Sequence, residues 1–125
     1  MKLIIAGTRD LLVDSELIDV VIKYHRLLNI EEVISGSGGN VDEAGEEWST
    51  LFLDKEPKMF KANWSQEGVS AGPIRNSKMA EYGDALLLIW SGVSKGSMSM
   101  KQEMLKRKKP VYEVVMRNSK SEISQ

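Results

Sequence analysis

Apolar runs of strand length alternate with segments of helical spacing along the chain, the pattern of a parallel sheet covered on both faces. The first strand is Leu3-Ile4-Ile5-Ala6. A first helix is expected over residues 14–28, with Leu17, Val20, Val21, Tyr24, Leu27 and Leu28 on its apolar face. Asp14 or Ser15 caps it, and Glu16 meets the positive end of its dipole. A second strand covers 32–35, and a second helix starts near Val41 with Ala44, Trp48, Leu51 and Phe52 on one side. The third strand is short, around Lys58-Met59-Phe60, and a polar loop fills 63–71. Gly72-Pro73 then opens a third helix, because proline suits a first helical position whose N–H has no partner. Residues 85–89 are apolar throughout and read as the central strand, buried on both faces. A fourth helix over 97–108 and a fifth strand over 111–115 complete the pattern. The expectation is one Rossmann-like α/β domain over 1–116, a mainly parallel sheet of about five strands with helices on both faces. A polar tail, 117–125, is expected to fray.

Composition narrows the chemistry. Hydrophobic residues are 42% and charged residues 28% of 125, ordinary for a globular chain. Cysteine is absent and His25 is the single histidine, so neither disulfides nor a cysteine- or histidine-based metal site is expected. No metal and no cofactor enter the reading. The longest apolar run, 85–90, is far short of the roughly 20 residues that cross a bilayer. Met1 to Gly7 lacks a leader pattern. A cytoplasmic protein with no membrane partner is therefore expected. A net charge of −1 gives no general attraction for polynucleotides, so no nucleic-acid partner is expected. The basic run Lys106-Arg107-Lys108-Lys109 closes the fourth helix, where cations meet the negative end of the dipole.

Candidate chemistry collects in loops that follow strands, where ligands of open α/β sheets bind. Gly7-Thr8-Arg9-Asp10 follows the first strand, with a sharp turn and a permanently charged fork suited to phosphate. Ser35-Gly36-Ser37-Gly38-Gly39-Asn40 leads from the second strand into the second helix at Val41-Asp42. It reads as a nest of backbone N–H donors at a positive helix end; it is neither a Walker loop nor a strict dinucleotide fingerprint. Gly92-Val93-Ser94-Lys95-Gly96-Ser97 repeats the theme before the fourth helix. Arg75 and Asn76 are placed in the first turn of the third helix, where a cation opposes the dipole unless it meets an anion. An ion pair of Arg75 with Glu81 or Glu67 is the plainer alternative.

Four stretches occur in a familiar order: Gly7-Thr8-Arg9; Ser35-Gly36 through Asp42 with Gly45-Glu46-Glu47-Trp48; Ala71-Gly72-Pro73-Ile74-Arg75-Asn76 with Met79; and Gly92-x-Ser94-x-Gly96-Ser97. Over about 1–115 they resemble the YspA/YpsA-related branch of the SLOG superfamily, which includes the DNA-processing Smf proteins and the Lonely-guy phosphoribohydrolases. The resemblance implies a Rossmann-like fold and a nucleotide-type ligand; small members are common in bacteria, plasmids and phages. Ser37 and Asn40 replace glycines of that family's loop, with Asn40 expected to take the left-handed turn, and Asn63 and Ser97 replace its usual aspartate and threonine. The Pro-Gly-Gly-x-Gly-Thr-x-x-Glu motif of the Lonely-guy hydrolases is missing.

Three functions fit. A sensor or sequestering protein for a phosphate-bearing nucleotide or nucleotide-derived signal needs only the loops, Arg9, Arg75 and an aromatic such as Trp64 or Trp90 for a base. An N-glycosidic hydrolase of nucleoside monophosphates also needs a carboxylate near the ribose, for which Glu46 is the first candidate and Asp42 the second. Smf-like DNA binding stands last. Helix faces bearing Met98, Met100, Met104 and Trp48 raise the further expectation of a homo-oligomer, a dimer or larger.

Overall fold

The computed structural model describes residues 1–117; the expected tail, from 118 on, lies outside the described residues. Five strands form one all-parallel sheet: β1 (Lys2–Gly7), β2 (Glu32–Ser35), β3 (Lys58–Met59), β4 (Ala85–Trp90) and β5 (Val111–Val115). Their order is β3-β2-β1-β4-β5. The chain winds outward from β1 in one direction and then returns to continue from β4 in the other. The crevice between the carboxyl ends of β1 and β4 is thus the point of reversal, where such sheets bind ligands. β1 holds the middle place expected of β4. β4 is nonetheless flanked on both edges and buried at every residue, which is why its sequence has no polar alternation.

Alternate side chains of the strands enter separate layers. Leu3 and Ile5 of β1 join Leu87 and Ile89 of β4 under α1 (Ser15–Tyr24) and α2 (Asn40–Trp48). Ile4 with Leu86 and Leu88 lies under α4 (Ala71–Tyr82) and α5 (Lys95–Lys106), which contribute Met79, Met100 and Met104. Met100, Met104 and Trp48 are therefore core residues, not an apolar face for a second copy, and Met98 alone of that group is exposed. Trp90 is also buried, its indole N–H donating to Glu113 at 3.0 Å, and is not available to stack on a base.

The helices depart from expectation at their ends. Asp14 caps α1 through its side chain, but α1 ends at Tyr24. Arg26 and Asn29 take positive φ, so the chain reverses before Leu28 can join the helix. The buried face is Ile18, Val21 and Ile22, with Leu27 tucked in after the helix; Val20, Tyr24 and Leu28 are exposed. α2 passes into a π-helical turn, Ser49–Leu53, whose looser winding carries Leu51 and Phe52 outward. The segment expected as a polar loop forms α3 (Trp64–Glu67), capped by Asn63, and a 3-10 turn, Gly68–Ser70. α4 consequently starts at Ala71, with Pro73 third; its missing N–H still falls among those without intrahelical partners. Among the described residues no helix is long and apolar enough to cross a membrane.

Candidate functional site

The sharp turn after β1 is dictated by contact. A methyl group on Gly7 would lie 1.8 Å from the Ile89 carbonyl oxygen, so only glycine lets β1 leave the sheet beside β4. Thr8 ties the two strand ends together: its amide donates to Ile89 O at 3.2 Å and its hydroxyl oxygen accepts from the Ser91 amide at 2.9 Å. Arg9 follows, exposed, at the mouth of the crevice. Gly92, with φ +92°, turns the chain after β4 toward α5.

The loop between β2 and α2 is wired differently from the free nest of donors expected. The Ser37 amide donates to Ser35 Oγ at 3.2 Å, that of Gly38 to Asp42 Oδ2 at 2.6 Å, and that of Asn40 to Arg9 O at 2.8 Å. Three amides are thus already used within the protein. The left-handed residue is Ser37, φ +57°, while Asn40 is the first residue of α2 and bonds Leu11 O through its side chain. Gly39, φ +142°, lies so close to Arg9 that a methyl group would sit 2.6 Å from Arg9 Cα. The loop supplies shape, and a support for Arg75.

Arg75 is in the second turn of α4, not the first, so the dipole argument does not place it. It reaches across the crevice, donating through Nη1 to Gly36 O at 2.9 Å and through Nε to Asn76 Oδ1 at 3.3 Å. Among the described residues it pairs with neither Glu67 nor Glu81. Partial burial and the neighbouring charge of Arg9 lower its pKa, against the attraction of Asp42. Asn76 is buried and donates to Gly96 O at 3.4 Å and Ser99 Oγ at 3.3 Å, fixing the start of α5 against α4.

These elements enclose a cavity of about 370 Å³, within the usual range for small-molecule sites. Gly7, Arg9, Gly38, Asp42, Arg75, Asn76, Ser94, Gly96 and Ser97 line it, with Lys95, Trp64, Pro73, Met79, Ser99 and Met100. Ser94 caps α5, accepting from the Ser97 amide at a long 3.4 Å. The positive end of a three-turn helix therefore faces the cavity, flanked by Lys95. Ser97 is 4% exposed and its hydroxyl, inside this lining, has no hydrogen-bond partner, a costly state for a buried polar atom. Asp42 is the carboxylate of the cavity: burial pushes its pKa up to about 6, against the Gly38 amide and the charges of Arg75 and Arg9.

Other expected site residues stand outside the cavity lining. Thr8, Ser35, Gly39, Asn40 and Gly92 shape the loops. Glu46 accepts from Ser35 Oγ at 2.6 Å and borders a separate groove with Glu43, Glu47 and Glu56. Gly36 and Ser37 border a smaller chamber of about 220 Å³, which adjoins the cavity along Arg9, Gly38, Trp64 and Arg75. Lys61, which also lines this chamber, escaped the sequence reading. Its one signal was its position two residues beyond a strand, at the sheet's carboxyl end. Among the described residues no cluster of His, Cys, Asp or Glu could hold a metal ion. No family model matches the chain, and no curated protein or solved structure is significantly similar to it.

Proposed function

We propose that this domain binds a phosphate-bearing nucleotide or nucleotide-derived signal in the cavity between β1 and β4, as a sensor or sequestering protein. The observation that carries the reading is the start of α5: an unpartnered, buried Ser97 hydroxyl at a positive helix end, in a cavity that also holds Arg9, Arg75 and Lys95. Such a surface suits a phosphate, while Trp64, Met79 and Met100 offer apolar area to a base and sugar. The resemblance to the SLOG superfamily, including its small phage and plasmid members, points the same way. Association into a homo-oligomer belongs to that resemblance.

The hydrolase reading is favoured by one observation, the buried Asp42 carboxylate in the cavity. Glu46 borders another groove, and a lone carboxylate engaged by the Gly38 amide is a thin basis for cleaving an N-glycosidic bond. The domain binds its ligand without turning it over.

A thermal-shift screen of nucleotides, followed by chromatography of every hit after denaturation, tests it. A ligand at 100 times its dissociation constant adds about 2.7 kcal/mol of stability, and it should be recovered chemically intact. No stabilisation by any nucleotide would end the reading; release of free base, abolished by Asp42→Asn, would replace it with the hydrolase.

A further inference from the structure

The smaller chamber has a charge pattern of its own. Its charged lining residues are Arg9, Lys61 and Arg75, and no carboxylate borders it. Among the described residues none of the three forms an ion pair. Arg9 and Arg75 repel one another, offset in part by the Asp42 carboxylate that attracts both. Lys61 adds a third cation to the lining of a space of about 220 Å³, which leaves net positive charge there for an anion to meet. The larger cavity differs: it contains the Asp42 carboxylate and an apolar floor, with its own anion-attracting feature at the first turn of α5. Both spaces share Arg9, Gly38, Trp64 and Arg75 as boundary, so one ligand can extend into both.

We propose that the smaller chamber is a second anion subsite, and that the ligand is a nucleotide bearing two separated phosphate groups. One phosphate meets Ser97 and Lys95 at α5, the other meets Lys61, Arg9 and Arg75, and the nucleoside lies between them in the larger cavity. Arg75 is positioned for the second group by its bond to the Gly36 carbonyl, which fixes the guanidinium at the boundary. Lys61 is the residue that selects for that group, since it borders the smaller chamber and not the larger. Gly36 keeps the boundary open, because a methyl group there would come within 3.1 Å of the Arg75 side chain.

This inference rests on the nucleotide reading, and the experiment separates the two. Nucleoside 5′-monophosphates and nucleoside 3′,5′-bisphosphates of the four common ribonucleosides are titrated calorimetrically into the full chain. Titrations into Lys61→Ala and into Lys23→Ala, which removes the same charge from α1, accompany them. With the base that binds, the bisphosphate should be at least tenfold tighter than the monophosphate, the scale of a charge-assisted hydrogen bond. Lys61→Ala should erase most of that gain and leave monophosphate affinity within about twofold, while Lys23→Ala should change neither. In amide-shift mapping, the second phosphate should add shifts at Ser37 and Lys61 to those at Gly96 and Ser97. Monophosphate binding with no gain from the second phosphate sinks the two-phosphate ligand and spares the nucleotide reading. Equal losses for both ligands in Lys61→Ala, or equal losses in Lys23→Ala, also overturn it. Failure of all eight nucleotides to bind overturns both.

Discussion

At Asp42, burial and attraction pull in opposite directions, and burial wins. The carboxyl is 7% exposed and titrates at about 6, above its ordinary 3.8, although the Gly38 amide, Arg75 and Arg9 all favour its charge and only Glu46 adds to the rise. A raised folded-state value means that the fold favours the protonated form. Its contribution to stability is complete below about 3.8 and is lost as pH rises through 6. At neutral pH the ionised group then costs roughly 3 kcal/mol relative to the unfolded chain. Asp42→Asn keeps an acceptor for the Gly38 amide and removes the charge, so it should stabilise the protein by about 2–3 kcal/mol at pH 7.5 and little at pH 4. Urea denaturation across that range reads the difference; a variant no more stable at pH 7.5 would show that water reaches the carboxylate. Asp19, Glu103 and Glu113 have lowered values, so their contributions are present above their ordinary values and fade as pH falls below them, the opposite sign to Asp42, and they cancel between the variant and the parent. Arg75 yields a second expectation. Arg75→Ala should weaken the nucleotide by about 10- to 100-fold, as befits loss of a charge-assisted bond, and unchanged affinity by calorimetry would remove it from the site. Both residues were visible in the sequence as candidates. Their reasons were not, because the approach of Gly36 to Arg75 and of Gly38 to Asp42 is made by folding. Lys61 was hidden more completely: a two-residue strand has no pattern that marks the residue beyond its end.

Between elements, the loop from β2 to α2 separates two kinds of glycine. For a methyl group at Gly36, the three nearest atoms all belong to the flexible Arg75 side chain, at 3.1–3.2 Å. One at Gly39 meets Arg9 Cα and O at 2.6 and 2.7 Å, and there φ is +142°. Gly36→Ala should therefore change stability by less than about 1 kcal/mol while weakening nucleotide binding, whereas Gly39→Ala should cost about 1–3 kcal/mol or more of stability. Denaturation and calorimetry on the pair test this, and equal stability of the two variants would contradict the packing described. Strands were the most legible elements, since fully buried apolar runs such as Leu86-Leu87-Leu88 fit little else in a sheet covered on both sides. Helix ends were less so. The positive φ of Arg26 turns Leu28 out of the expected core, and the π-helical turn at Ser49–Leu53 does the same to Leu51 and Phe52. α3 was missed because four residues give no periodicity to read, though Asn63, its cap, was in plain view.

Over the whole molecule, a net charge of −1 conceals a division. Arg9, Lys61, Arg75 and Lys95 gather around the joined cavities, while Glu43, Glu46, Glu47 and Glu56 line the groove beyond α2. Composition sums these to almost nothing; only the sheet order, which brings the loops after β1, β2, β3 and β4 to one end, separates them. A concave site where four cations face the single Asp42 carboxylate concentrates anionic ligands, and that attraction is screened as the Debye length falls from about 10 Å at 0.1 M salt to 3 Å at 1 M. Nucleotide affinity should accordingly drop by about tenfold over this range, mainly through slower association. The slope should be shallower in Lys61→Ala, which removes one of the converging charges. Stability of the free protein should change much less, because its core is apolar and its ion pairs lie at the surface. Stopped-flow association and calorimetry at several salt concentrations decide the matter. An affinity indifferent to salt would mean that the ligand is held through its base and sugar, and that the cations at this end of the sheet serve something other than a phosphate.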